Sequence, residues 1–285
     1  MTGHPPVPSG RALLRRRGLV LPALVAAALL AVPASSEAAP GPAAPSTAGA
    51  AAAAKPTVVL VHGAFADSSG WDGVIARLER QGYPVLAVAN PLRGLAGDAA
   101  YLSSVLDTVP GPVVLVGHSY GGAVITDAAT GHANVKALVY IAAFAPDQGE
   151  SALQITGAYP GSRLPSSLVV RAFPDGQDAY IDPAAFRQVF AADVPSGQAR
   201  RMAAEQRPIA LAALAGAAGT PAWRTIPSWF LVAGADQAIP PAAELAMAQR
   251  AHGHTVTLPD ASHAVALSRP DAVADLVESA ARATA

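Results

Sequence analysis

A serine, an aspartate and a histidine stand in this chain at positions that suit attack on a carbonyl carbon. The serine is Ser119, inside Val113-Val114-Leu115-Val116-Gly117-His118-Ser119-Tyr120-Gly121-Gly122. Four apolar, mostly β-branched residues read as a buried strand, and residues 123–129 read as the helix that follows. Between them, Gly117-x-Ser119-x-Gly121 has the pattern of a nucleophile elbow, a strained turn whose flanking glycines present no Cβ to clash. Such a turn lifts the hydroxyl clear of the sheet, at the positive end of a helix dipole. A serine hydroxyl needs a base to take its proton, and the base needs a partner to fix its tautomer. His263 is the expected base and Asp236 the expected partner. Each falls just past an apolar strand-like run, Trp229-Phe230-Leu231-Val232-Ala233 for the acid and residues 255–258 for the histidine. Open α/β sheets place their sites at that end of a strand.

The rivals fit less well. His252 and His254 precede the last strand and so face its wrong end. Asp260 is too close to His263 in sequence to be a natural partner, and Asp147 follows a different strand. Asp236 also has a structural reading, as a cap for the helix beginning near Pro240 or Pro241. His118 neighbours the nucleophile, but successive residues in such a turn point apart, and it reads as structural. An oxyanion hole needs two backbone N–H groups. Tyr120, the residue after the nucleophile, supplies one, and Ala64 in the loop His62-Gly63-Ala64-Phe65 supplies the other. His62 reads as a prop for that loop. Phe65, Trp71 and Phe144 are candidates for a pocket wall or for core.

The elements that would hold these residues alternate. Strands are expected at 57–61, 84–89, 113–116, 135–142, 228–233 and 255–258, with helices at 70–81, 98–109, 123–129 and 270–283. Near-continuous apolar strands separated by helices predict an α/β fold with a mostly parallel sheet covered on both faces. The rhythm breaks between Phe144 and Ser228. Within that stretch, 168–172 and 179–181 read as a short hairpin around Pro174-Asp175-Gly176, and 183–192 and 196–218 read as helices. An insertion this long at the carboxyl end of a strand is expected to be a cap over the site, at about residues 147–225. Tyr159, Phe173, Tyr180, Phe186 and Phe190 suggest an apolar lining for it.

Taken together, Val61-His62-Gly63-Ala64, Gly117-His118-Ser119-Tyr120-Gly121-Gly122, Gly234-Ala235-Asp236 and Ser262-His263-Ala264 resemble the α/β-hydrolase superfamily across residues 56–283. The start of the strand series at Thr57 is similar to the compact six-stranded group that contains plant methylesterases and hydroxynitrile lyases. The resemblance implies the α/β-hydrolase fold, with a six-stranded, mostly parallel sheet and a cap insertion after the fourth strand. It also implies the Ser119-His263-Asp236 triad and the Ala64 and Tyr120 oxyanion pair; no cofactor and no metal are expected.

Composition bounds the rest. The 285-residue chain is alanine-rich, carries a formal charge of −1 and has no cysteine. That balance argues against a nucleic-acid partner, and it removes disulfides, zinc-thiolate sites and cysteine nucleophiles. Residues 1–38 read as an export signal: Arg15-Arg16-Arg17-Gly18, an apolar run over 19–32, and the small-x-small site Ser36-Glu37-Ala38. The paired arginines resemble a twin-arginine signal, with Arg15 where Ser or Thr is usual. Pro22 interrupts the run, which is short for a membrane span, and no stable membrane insertion is expected after cleavage. Cleavage would remove four arginines and one glutamate, taking the formal charge to −4. Residues 39–55 read as a linker, and 56–285 as the folded domain.

Three functions follow as expectations. The first is a secreted serine hydrolase of small hydrophobic carboxylic esters, working through an acyl-enzyme. The second keeps the triad for hydroxynitrile lyase or cofactor-free haloperoxidase chemistry. The third is a ligand-binding protein on a hydrolase scaffold.

Overall fold

A computed structural model of the chain describes residues 54–284. The expected export signal, 1–38, and residues 39–53 of the expected linker lie outside the described residues. The chain alternates β1 (Thr57–Val61), α1 (Asp72–Arg80), β2 (Val85–Val88), α2 (Leu95–Leu106), β3 (Val113–Ser119), α3 (Tyr120–Ala128) and β4 (Val135–Ala143). Residues 144–227 then hold α4 (Ala152–Ala158), β5 (Leu168–Phe173), β6 (Gly176–Ile181), α5 (Pro183–Phe190), α6 (Ser196–Glu205), β7 (Ile209–Ala210) and α7 (Leu211–Ala215). The first rhythm resumes with β8 (Ser228–Ala233), α8 (Pro241–Arg250), β9 (His254–Leu258), α9 (Val265–Ser268) and α10 (Pro270–Ala283).

Six strands pair in parallel in the order β2-β1-β3-β4-β8-β9, as the apolar runs predict. Side chains in a strand point alternately to its two faces, so a run that is apolar throughout serves two cores. Val59, Val61, Val113 and Leu115 pack under α2, α3 and α8, while Val58, Leu60, Val114 and Val116 pack under α1, α9 and α10. Each of these valines and leucines, fully buried, is worth about 1.5–3 kcal/mol.

The cap carries its own sheet, with β5, β6 and β7 antiparallel. It departs from the expected helix over 196–218. Pro208 has no N–H to give a helix and drives the residue before it out of the α region, so α6 stops at Glu205. The side chain of Gln206 turns back instead, accepting the Ile181 N–H and donating to the Ile181 carbonyl, each at 2.8 Å. Residues 209–210 then pair with β6 before α7 begins. Arg93, in the loop before α2, ties this sheet to the main layer. Its guanidinium meets Asp178 of β6 at 2.8 Å and the Pro208 carbonyl at 3.1 Å, and the Ala210 N–H donates to the Leu92 carbonyl at 3.0 Å.

Smaller shifts have local causes. α2 begins at Leu95, three residues before the expected 98, because Asp98 turns back to accept the Arg93 N–H at 3.1 Å. α3 begins at Tyr120, so Gly121 and Gly122 fall inside its first turn. α4 carries a capping box in which Ser151 and Gln154 bond each other's backbone N–H, at 3.2 and 2.9 Å.

Candidate active site

Ser119 ends β3 with φ 55° and ψ −126°, in a left-handed region that a residue with a side chain occupies only under strain. A strained residue of this kind costs on the order of 1–3 kcal/mol and persists where its surroundings over-determine it. Here the surroundings are close. A Cβ on Gly121 would lie 2.4 Å from the Val61 carbonyl oxygen, and one on Gly63 would lie 2.5 Å from Ser119 Cβ. Only glycine lets β1, its following loop and the start of α3 converge on the serine.

His263, in the loop after β9, brings Nε2 to 2.8 Å from Ser119 Oγ and Nδ1 to 2.5 Å from Asp236 Oδ2. The loop after β8 delivers Asp236. Its Oδ2 takes the imidazole, while Oδ1 accepts the Ala238 and Ile239 N–H groups at 2.6 and 3.0 Å; these lie in the turn before α8, whose N-cap is Pro240 with no side-chain bond, so Asp236 braces its own turn and does not cap the helix. Asp236 is acceptor-only as an anion, so the network assigns the proton to Nδ1 and leaves the Nε2 lone pair for the serine hydroxyl. His263 is 1% exposed and Asp236 4%. The structure thus brings together all three residues that the sequence singles out.

Two further histidines brace the site without joining it. His118 donates from Nε2 to the His263 carbonyl at 2.8 Å, and burial pushes its pKa down to about 3, so it is neutral. His62 accepts the Asn90 N–H on Nε2 at 3.0 Å and donates from Nδ1 to the Gly63 carbonyl at 2.9 Å. The Asn90 side chain donates in turn to the His62 carbonyl at 3.0 Å. Burial lowers the His62 pKa as well. This clamp fixes the loop that carries Ala64. Tyr120, the other oxyanion candidate, is the first residue of α3, where a backbone N–H has no acceptor within its helix. Its phenol donates to buried Asp98 at 2.9 Å, and burial followed by that carboxylate raises it above the ordinary tyrosine range.

A cavity of about 240 Å³ opens beside Ser119 and His263, with Ala64, Phe65, Tyr120 and Phe144 in its wall. The rest of the wall is largely aliphatic, with Leu153, Leu164, Leu168, Leu214 and Ile239. Two expectations are corrected. Trp71 does not line this cavity; it lies in the core beneath α1 and α10 and meets the His118 ring edge-on at 6.2 Å. The five aromatics of the cap are not its lining either. Phe186 and Phe190 are buried core, with Phe190 edge-on to His263 at 4.9 Å, and Phe173 packs under Arg93. Sequence reading also missed Asn90, Asp98 and Glu244. Their one signal is a polar residue breaking an apolar stretch, as Glu244 does in the alanine-rich α8.

A profile of the alpha/beta hydrolase family matches residues 58–276. The alpha/beta hydrolase nvfD of Aspergillus novofumigatus (strain IBT 16806) is 27% identical over 248 residues, covering 80% of this chain and 97% of that protein. The carbendazim hydrolyzing esterase of Nocardioides sp. (strain SG-4G) is 36% identical over 110 residues, 34% of this chain and 46% of its own. Among solved structures, polyneuridine aldehyde esterase superposes with a TM-score of 0.67 at 18% identity, over 79% of this chain and 98% of that one. That last likeness is one of fold. With the profile spanning the sheet, the cap and all three site residues, the chain belongs to the alpha/beta hydrolase family.

Proposed function

We propose that the chain is an exported serine hydrolase that cleaves carboxylic esters with an apolar acyl or alcohol part. One observation carries this reading: the unbroken hydrogen-bond line from Ser119 through both ring nitrogens of His263 to Asp236, at the wall of an apolar cavity. The Nocardioides relative named as an esterase supports the reaction class.

As the Ser119 oxygen attacks the ester carbonyl, its proton passes to His263 Nε2. Asp236 stabilises the resulting imidazolium through Nδ1–H. The carbonyl oxygen, now negative, is held by the Ala64 and Tyr120 N–H groups. Collapse of the tetrahedral species breaks the bond to the alkoxy oxygen, which leaves as an alcohol with the Nε2 proton. Water then gives a proton to Nε2 and attacks the acyl-serine, releasing the acid and restoring the hydroxyl. The aliphatic wall favours uncharged, apolar substituents, because a charge there would lose its water without gaining a partner.

Replacing Ser119 with Ala is expected to cut p-nitrophenyl ester turnover about a millionfold. Turnover within tenfold of the parent would sink the proposal, as would failure of the parent to take a fluorophosphonate label. Export is supported by the basic, apolar and small-residue order of residues 11–38. N-terminal sequencing of protein from the culture medium is expected to begin at Ala39, and a chain retained in the cell at full length would count against it.

A further inference from the structure

Behind the imidazole, on the side away from Ser119, two carboxyl groups are buried together. One is Asp236. The other is Glu244 of α8, 2% exposed. They share the end of a strand: Ala233, the last residue of β8, accepts the Asp236 N–H on its carbonyl at 3.1 Å and donates its own N–H to Glu244 Oε2 at 3.2 Å.

The two carboxyls are satisfied very differently. Asp236 takes two backbone N–H groups on one oxygen and the imidazole N–H on the other, as an anion requires. Glu244 has a single donor on Oε2, and its buried Oε1 has no partner. That asymmetry fits a carboxylic acid, with a carbonyl oxygen that accepts and a hydroxyl oxygen that brings its own proton. A carboxylate there would be desolvated with one neutral donor and a second negative charge beside it. Burial, and after it the Asp236 charge, raises the Glu244 carboxyl well above the carboxylate range. Asp236 is the ionisable group that faces Glu244, and His263 lies beyond it.

We propose that Glu244 is a positioning residue for the acid of the triad: a neutral carboxylic acid that grips the Ala233 N–H at one end of the turn and offers its O–H to the Asp236 carboxylate at the other. The negative charge behind His263 then belongs to Asp236 alone, and the turn that aims it is held from α8. The inference rests on the triad reading above.

Two variants of the full-length chain test it, Glu244→Gln and Glu244→Leu, each checked for folding by circular dichroism. Glutamine keeps both an accepting oxygen and an N–H donor, so E244Q is expected to hold kcat within about twofold and leave the acid limb of kcat/KM where it is. E244L is expected to keep KM and lose kcat on the order of tenfold or more, as the acid drifts from its aim. An infrared comparison at neutral pH is expected to show a protonated carboxyl band in the parent that E244Q lacks. Three results would overturn the inference: no such band, an acid limb moved to lower pH in E244Q by the loss of a negative charge, or E244L turning over at the parental rate. If E244L does not fold, the spectrum and the E244Q profile still decide. An active Ser119→Ala would instead remove the triad reading, whereas an inactive Ser119→Ala beside an unimpaired E244L removes only this inference.

Discussion

The carboxyl edge of the main sheet and the cap above it solve different problems by different means. The edge fixes the groups proposed for chemistry through backbone: a left-handed serine, glycines at positions where any Cβ would clash, and loops clamped by buried His62 and His118. The cap supplies shape, with aliphatic side chains over the cavity and a β5 strand whose residues are mostly exposed. A pre-aimed site needs rigidity on a scale below an ångström, whereas an apolar wall needs only area and fit. The difference teaches where damage will show, as rate at the edge and as affinity in the cap.

The sharpest test of that contrast is Asp236→Asn. It keeps the shape of the turn but favours the wrong imidazole tautomer, and kcat on a p-nitrophenyl ester is expected to fall about 10⁴-fold with little change in KM. A kcat within tenfold would erase the distinction. The next effect is on stability. His118 has a folded pKa of about 3 against 6.5 for an unperturbed histidine. The unfolded chain therefore binds the proton more readily, so the stability is present above about pH 6.5 and is lost as pH falls from there toward 3. The loss is on the order of a few kcal/mol, or roughly 5–10 °C in Tm by pH 4.5. His118→Gln keeps a donor for the His263 carbonyl but cannot titrate, and its melting curve is expected to move less over the same range; equal movement would refute the assignment. The smallest effect belongs to the cap. Leu164→Ala is expected to raise KM for an apolar ester up to about tenfold and leave kcat alone. A fall in kcat of the same size would mean that the cap also aims the chemistry.

What could be read from the residues divides along the same line. Apolar strands such as Val113-Val114-Leu115-Val116 need both faces buried whatever surrounds them, and Gly117-x-Ser119-x-Gly121 describes a turn that glycine alone permits. Those are local facts, legible before folding. β7 is two residues long and exists because Asp178 and Ala179 lie opposite it, a pairing that no window on 209–210 contains. The cavity lining failed in the same way: Phe186 and Phe190 look like pocket residues by type, and only packing shows that Leu164, Leu168 and Leu214 reach it instead. Two omissions were avoidable. Ser151-x-x-Gln154 is a visible capping signal, and Pro208 stands in plain sight inside a stretch read as one helix.

The attachment of the cap sheet at Leu92 and Arg93 has a consequence for how such a molecule can change. The three strands of the cap sheet are moored to the main layer at two neighbouring residues of one short loop. A change within those strands that kept both moorings would leave the pairing of the main sheet as it is. The loops that carry His263 and Asp236 meet the cap elsewhere, where the Ala264 N–H donates to the Phe190 carbonyl and the Arg163 N–H to the Gln237 carbonyl, each at 2.8 Å, so exchanging the whole cap would reach both groups.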